Sequence, residues 1–169
     1  MTGTGRDFGR FYADNFPVLC KQLYAYTGDA TEAQDAVQEA FVRAWTRWAS
    51  VSRYENPAGW VRQVAWRLAI SRWRRARTAL RYLNGQREVH APPPGPEHVT
   101  LVAALATLPE RQRRAVVLHY LADLSIAQIA TEESVAEGTV KSWLHRGRAA
   151  MAAHLDSERV EGRHDDGRA

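Results

Sequence analysis

The sequence predicts an all-α protein: two small helical domains joined by a Pro-rich linker, the C-terminal one built on a helix-turn-helix. Three observations carry this. Apolar residues recur every three or four positions along most of the chain, and no segment alternates with the two-residue period of a half-buried strand. Four prolines crowd the five positions from Pro92 to Pro96, where a helix cannot continue. Beyond them, a short periodic segment, a tight break and a longer periodic segment follow in helix-turn-helix proportions.

In chain order, Phe8, Phe11, Tyr12, Leu19 and Leu23 mark a first helical region, interrupted near Pro17, which lacks an N–H and crowds the preceding turn. Gly28 closes it, and Asp29 with Glu32 fits a capping-box start for the next helix. There Ala33, Val37, Ala40, Phe41, Ala44, Trp45 and Trp48 form the apolar stripe, while Glu32, Asp35, Glu39 and Arg43 share the other face. Asn56–Pro57 opens a basic helix: Asn caps it, and Pro at the first position gives up no needed donor. It runs to about Leu83 and completes a first domain over residues 1–83. Residues 84–97 are the extended linker.

The second domain spans residues 98–156. Leu101, Leu105 and Leu108 mark one short helix, and Pro109 opens another through Ala115, Val116, Leu118, His119 and Leu121. Ser125 and Gln128 form a capping box for a short helix with Ile126, Ile129 and Ala130. After a turn at about Glu133 to Ala136, a longer helix carries Val140, Leu144, Gly147, Met151 and Leu155 on one side. Residues 157–169 are polar and mixed in charge, and are expected to fray.

With 169 residues, 45% of them hydrophobic, the chain has room for packed cores, which excludes wholesale disorder. The net charge of +4 is less informative than its distribution. Residues 29–39 hold four acids and no base, whereas residues 56–87 hold eight arginines, three tryptophans and no acid. Two partners of different character, or one long internal pairing, would explain that split. A single cysteine, Cys20, excludes an internal disulfide or a cysteine metal cage and points to a reducing compartment. Asp7 and polar residues stand where a signal peptide needs an apolar run, and the apolar stretch around Leu101 to Leu108 falls far short of a membrane span. A cytoplasmic protein without membrane contact is expected. The six histidines lack metal-ligand spacing, no glycine loop cradles phosphate and no nucleophile–base pair stands out. Neither an enzyme nor a metal or cofactor site is expected.

The basic helix suits phosphate neutralisation with base stacking. A step of about 100° per residue places Arg62, Gln63, Trp66, Arg67, Ile70, Trp73, Arg74 and Arg77 on one broad side, with Val61, Val64, Ala65 and Leu68 elsewhere. Trp66 and Trp73 thus read either as base contacts or, with Ile70, as a second packing seam; Trp60 reads as core. Arg74, Arg75 and Arg77 are the firmest phosphate contacts, since a dense cluster of like charge repels itself without an anion. In the last helix, Thr139, Lys141, Ser142, His145, Arg146 and Arg148 are left outward. Such residues neutralise phosphate or read base edges, whereas a solvated helix pair in a bundle would give the same periodicity.

The wording of these segments resembles a known family. LSIAQIATEESVAEGTVKSWLHRGRAAM is similar to the C-terminal DNA-binding domain of extracytoplasmic-function sigma factors, in which EGTVKS followed by HR-x-R recurs. DAVQEAFVRAWTRW, from Asp35 to Trp48, resembles their polymerase-binding helix, and ENPAGWVRQVAWRLAISRWRRAR the adjoining promoter-melting segment. The three motifs, in family order and split by a linker, cover nearly the whole chain. The resemblance implies that Asp35, Gln38, Glu39 and Arg43 dock on core RNA polymerase, with Phe41 and Trp45 readable as docking or as core. It implies −10 DNA contacts by Asn56, Arg62, Trp66, Arg67, Trp73, Arg74, Arg75 and Arg77, with the loop Val51 to Asn56 capturing a base. Asn56 reads equally as a base contact or as a cap alone. It implies −35 DNA contacts by Ser125, Thr139, Lys141, Ser142, His145, Arg146 and Arg148.

The implied partners are core RNA polymerase, promoter DNA and an anti-sigma factor, the free protein being a monomer. The linker would raise affinity by effective concentration, provided both DNA sites are reached together. The rival reading, a dimeric helix-turn-helix regulator on duplex DNA, leaves the N-terminal half without a role. The chain departs from the family pattern at several positions. Glu132 and Glu133 stand where many members have apolar residues, and Ser134 where a turn glycine is common. Trp143 replaces a frequent arginine, Gly147 a frequent alanine, and Arg67 and Ser71 stand where Asn and Asp are often seen. These departures bear on which promoter is read.

Overall fold

The computed structural model describes the backbone of residues 2–83 and 96–165, and the side chains of residues 5, 7–76, 78, 79 and 100–157. Among these residues there are eight helices and no strand: α1 (Thr2–Thr27), α2 (Ala30–Thr46), α3 (Trp48–Val51), α4 (Pro57–Leu83), α5 (Pro96–Ala106), α6 (Glu110–Tyr120), α7 (Ile126–Glu133) and α8 (Glu137–Asp165). The chain divides into two compact units, Met1–Pro92 and Pro93–Ala169. No described helix is long and apolar enough to cross a membrane.

In the first unit α1, α2 and α4 pack on one another, and α3 lies against α2. The expected interruption at Pro17 does not occur: α1 runs through it. Pro17 removes the N–H that would bond the carbonyl of Ala13, a local cost of about 3 kcal/mol. Both halves of the helix are nevertheless anchored. Phe8, Phe11, Tyr12 and Phe16 surround Phe41 of α2, with ring centroids 4.9–6.3 Å away. Leu19, Leu23, Ala25 and Tyr26 are buried beyond the proline. Packing on both sides of Pro17 outweighs the missing bond.

Gly28, at φ 71°, ends α1 in the left-handed region that glycine adopts without strain. Asp29 Oδ1 then accepts the Glu32 N–H at 3.0 Å to start α2. Alanines 33, 36, 40 and 44 are buried along α2 and leave the space between helices to Val37 and Phe41. At the start of α4, Asn56 Oδ1 accepts the Gly59 N–H at 2.8 Å. A methyl at position 59 would lie 2.6 Å from Asn56 Nδ2, so the capping side chain would have to shift to admit one. The buried side of α4 is Val61, Ala65, Trp66, Ala69 and Ile70.

In the second unit α8 packs on α5, α6 and α7, and α6 on α7. Leu105, Leu108, Leu118, Ile129 and Val117 are the largest of its fully buried side chains. Two boundaries differ from the sequence reading. Pro96 and Glu97, expected in the linker, begin α5, where proline's fixed φ suits a first helical position. Residues 84–95 of the linker lie outside the described residues. The stretch expected to fray from residue 157 continues α8 as far as Asp165, with two glutamates and two arginines, both good helix formers, among its residues.

Candidate nucleic-acid and polymerase interfaces

The outward face of α2 carries the candidate docking residues. Asp35, Gln38 and Arg43 are exposed and Glu39 is half-buried. Gln38 Oε1 accepts the Tyr12 hydroxyl at 3.0 Å, tying this face to α1. Glu39 is engaged twice: Oε1 receives Arg43 from the next turn and Oε2 receives Arg72 from α4. The acidic and basic runs of the sequence are therefore joined, in part, by an internal pair. Phe41 is core, at 1% exposure, but Trp45 is not: it is 51% exposed and rests on Phe8 with centroids 4.9 Å apart. Val42, at 52%, adds a second exposed apolar side chain to α2.

On α4 the broad side assigned by periodicity is split. Trp66 is 1% exposed and packs on Tyr26, so it is withdrawn from the −10 contacts: a ring sealed by α1 has no face to offer a base. Ile70 is buried with it. Packing against both α1 and α2 gives α4 a wide buried face, and Val64 and Leu68 are only half-buried. Trp73 is half-buried at the edge of this seam, 6.5 Å from Tyr26. Arg62 is half-buried, whereas Arg67, Arg74 and Arg75 are exposed. The side chain of Arg77 lies outside the described residues. Asn56 is exposed and acts as the α4 cap. Just before it, Tyr54 is 45% exposed and pairs with Trp60 at 6.3 Å. Trp60, expected in the core, is only half-buried, and this aromatic pair at the mouth of the basic helix had no periodic signature in the sequence.

The second unit contains the helix-turn-helix. Ser125 and Gln128 exchange both capping bonds, at 3.2 and 2.8 Å. The turn is made by Ser134 at φ 55° and ψ 46°, a left-handed conformation in which a non-glycine residue is strained. Glu133, one residue earlier, contacts Arg114 of α6 at 2.7 Å. The Nε–H is not aligned on that oxygen, so this is an ion contact rather than a directed hydrogen bond. Burial pushes the Glu133 carboxyl up, while Arg114 pulls it down. The ion pair stands where an apolar residue is common in the family that the sequence resembles.

Along α8, Val140, Leu144 and Gly147 face the core. Lys141, His145, Arg146 and Arg148 are exposed, and Thr139 and Ser142 half-buried. Trp143 is half-buried and carries the Arg111 guanidinium of α6 over its ring at 5.7 Å. Arg111 thus joins the edge of this face, a role that only the fold reveals. Arg148 lies at the opposite edge, where it lines an apolar groove of about 380 Å³ with Leu105, Val117, Met151 and Leu155. At position 147, a Cβ would come within 2.8 Å of Val116 Cγ2, so glycine permits the close approach of α8 to α6.

Residues 11–79 match the family described as Sigma-70 region 2, and residues 98–151 the one described as Sigma-70, region 4. The chain is 36% identical to the ECF RNA polymerase sigma factor SigL of Mycobacterium tuberculosis, over 85% of its own length and 86% of that protein. It is 29% identical to the ECF RNA polymerase sigma factor SigW of Bacillus subtilis, over 88% and 87%. Its fold is similar to that of the sigma factor RpoE in complex with the anti-sigma factor NepR from Bartonella quintana. That likeness has a TM-score of 0.75 and 22% identity, and covers 89% of this chain and 98% of that one. Two exposed basic faces on separate helical units, each inside a matched sigma region, and a relative matched along most of its length lead to one conclusion: the chain belongs to the ECF family of RNA polymerase sigma factors.

Proposed function

We propose that this initiation factor divides its work among three surfaces. The α2 face, with Asp35, Gln38 and Arg43 around exposed Val42 and Trp45, docks on core RNA polymerase. Arg67, Arg74, Arg75 and Arg77 of α4 hold the phosphates of the opened −10 strand, and Tyr54 with Trp60 offers a stacking surface to a base. Lys141, Ser142, His145 and Arg146 of α8 enter the major groove of the −35 duplex, with Thr139, Ser125 and Arg111 at the margin. The protein acts by binding rather than by catalysis, in the cytoplasm, and is monomeric until it meets polymerase.

The observation that carries this reading is the split of α4. Val61, Ala65, Trp66, Ala69 and Ile70 are buried, yet Arg67, Arg74 and Arg75 of the same helix are exposed, and Tyr54 pairs with half-buried Trp60 at its mouth. Positive charge presented to solvent along one helix suits the phosphates of a nucleic-acid strand. An anti-sigma factor is a further proposed partner, supported by the complex in which the similar RpoE was captured. The dimeric-regulator alternative gives no task to the exposed residues of α2 and α4.

Purified core polymerase supplemented with this protein tests the reading. Promoter-dependent transcripts, lost when Lys141 and Arg146 are both changed to Ala while core binding persists, are the expected result. Tight palindromic binding by a dimer that ignores polymerase would overturn it.

A further inference from the structure

We propose that the Glu39 carboxylate couples polymerase docking to DNA binding by holding Arg72 in reserve; this rests on the assignments of the α2 and α4 faces given above. Glu39 stands on the candidate docking face, but its two oxygens are divided between that face and the basic helix. One takes Arg43, a turn further along α2, and the other takes Arg72, 33 residues away on α4. The Glu39 and Arg72 side chains are 36% and 32% exposed, so the pair lies at the seam between the helices, within reach of ligands on either side. Arg72 is close in sequence to Arg74 and Arg75, whose side chains are exposed.

A guanidinium engaged by a carboxylate is partly neutralised, and a phosphate must displace that carboxylate to use it. Conversely, a cationic side chain of the polymerase that pairs with Glu39 releases Arg72 toward DNA. The two ligands compete for opposite members of one ion pair, so each removes a cost that the other would meet. Coupling of this kind is positive and reciprocal. Because the pair is partly exposed, its effect is a few-fold rather than orders of magnitude. Away from polymerase the pair keeps one arginine of α4 from DNA; on polymerase it supplies that arginine.

The test uses the full chain and a fluorescein-labelled single-stranded oligonucleotide of mixed sequence, with binding read by anisotropy across a salt series. Glu39→Gln is expected to bind about fivefold more tightly than wild type. Its salt slope should steepen by about 0.7, the value for one added phosphate contact on single-stranded DNA. In an Arg72→Ala background the same substitution should change neither quantity. Equal binding by wild type and Glu39→Gln would overturn the proposal. So would a gain that persists without Arg72, because simple removal of a negative charge would then account for it.

A second arm does not depend on the folding of Glu39→Gln. Arg72→Ala leaves Glu39 to the polymerase and should raise affinity for purified core polymerase by a similar factor, about fivefold. Unchanged or weakened core binding overturns the coupling. Failure of the underlying assignment looks different: Arg74→Ala with Arg75→Ala would then leave oligonucleotide binding untouched. Loss of binding in that variant, with indifference to Glu39→Gln, sinks the coupling alone.

Discussion

Trp66 of α4 and Tyr26 of α1 lie ring against ring, with centroids 4.8 Å apart and planes tilted by 58°. Each is 1% exposed. This pair is the inner clasp of the first unit, and truncating one member leaves a cavity that rigid helices cannot close. Trp66→Ala is expected to destabilise the protein by about 3–5 kcal/mol, measured by urea unfolding. A variant as stable as wild type but unable to bind single-stranded DNA would restore the reading of Trp66 as a base contact.

Gly147 and Val116 make the corresponding tight contact of the second unit. Alanine at 147 gains up to about 1 kcal/mol of helix propensity. It also drives a methyl to 2.8 Å from a β-branched side chain that is itself buried. Overpacking costs about 1–3 kcal/mol, so a net loss of stability is expected. Val116→Ala in the same chain should recover part of it, and a double-mutant cycle on thermal melting measures how much. Strict additivity would show that α8 shifts to accommodate the methyl instead.

Glu133 gives the second unit a pH response. Burial raises its carboxyl above the ordinary value of 4.5, against the pull of Arg114. An acid whose pKa rises on folding takes up protons as the chain folds. Its contribution therefore favours the fold at low pH and fades as pH climbs from the ordinary value through the raised one. The unfolding free energy of wild type minus that of Glu133→Gln should fall across this window and level off above it. Urea titrations at closely spaced pH values measure the difference; a rise with pH would mean that Arg114 outweighs burial.

The proposed role of Arg74 and Arg75 as phosphate contacts makes a prediction for the salt response of promoter binding. Replacing both with Ala should weaken strand opening and flatten the dependence of log affinity on log salt by about 1.4, roughly 0.7 for each lost contact with a single strand. Filter binding to a pre-melted promoter fragment across a salt series reads the slope. An unchanged slope would make these arginines structural.

Local chemistry made much of the fold legible. Ser125 with Gln128, Asp29 with Glu32 and Asn56 before Pro57 each announce a helix start within four residues, and each makes its capping bond. Outcomes decided between helices were harder to read. Pro17 predicts a break from local sterics, but Phe41 and the buried residues beyond it hold the helix together. Periodicity finds the stripes of α4 without saying that two neighbouring helices will bury both Ala65 and Trp66. It likewise places Trp45 on the apolar stripe of α2 without showing that the stripe outruns its cover. The pairing of Arg72 with Glu39 spans 33 residues, and only the opposed charge runs hinted at it.

Trp143 has a use of a different kind. The other five tryptophans, at positions 45, 48, 60, 66 and 73, belong to the first unit, so the second contains a single indole. That indole lies on α8 beside Ser142, under the guanidinium of Arg111. Its emission maximum and intensity depend on whether that cation stays over the ring. With the other five changed to phenylalanine where the fold tolerates it, duplex DNA arriving at α8 would announce itself as a change in fluorescence, with no added dye.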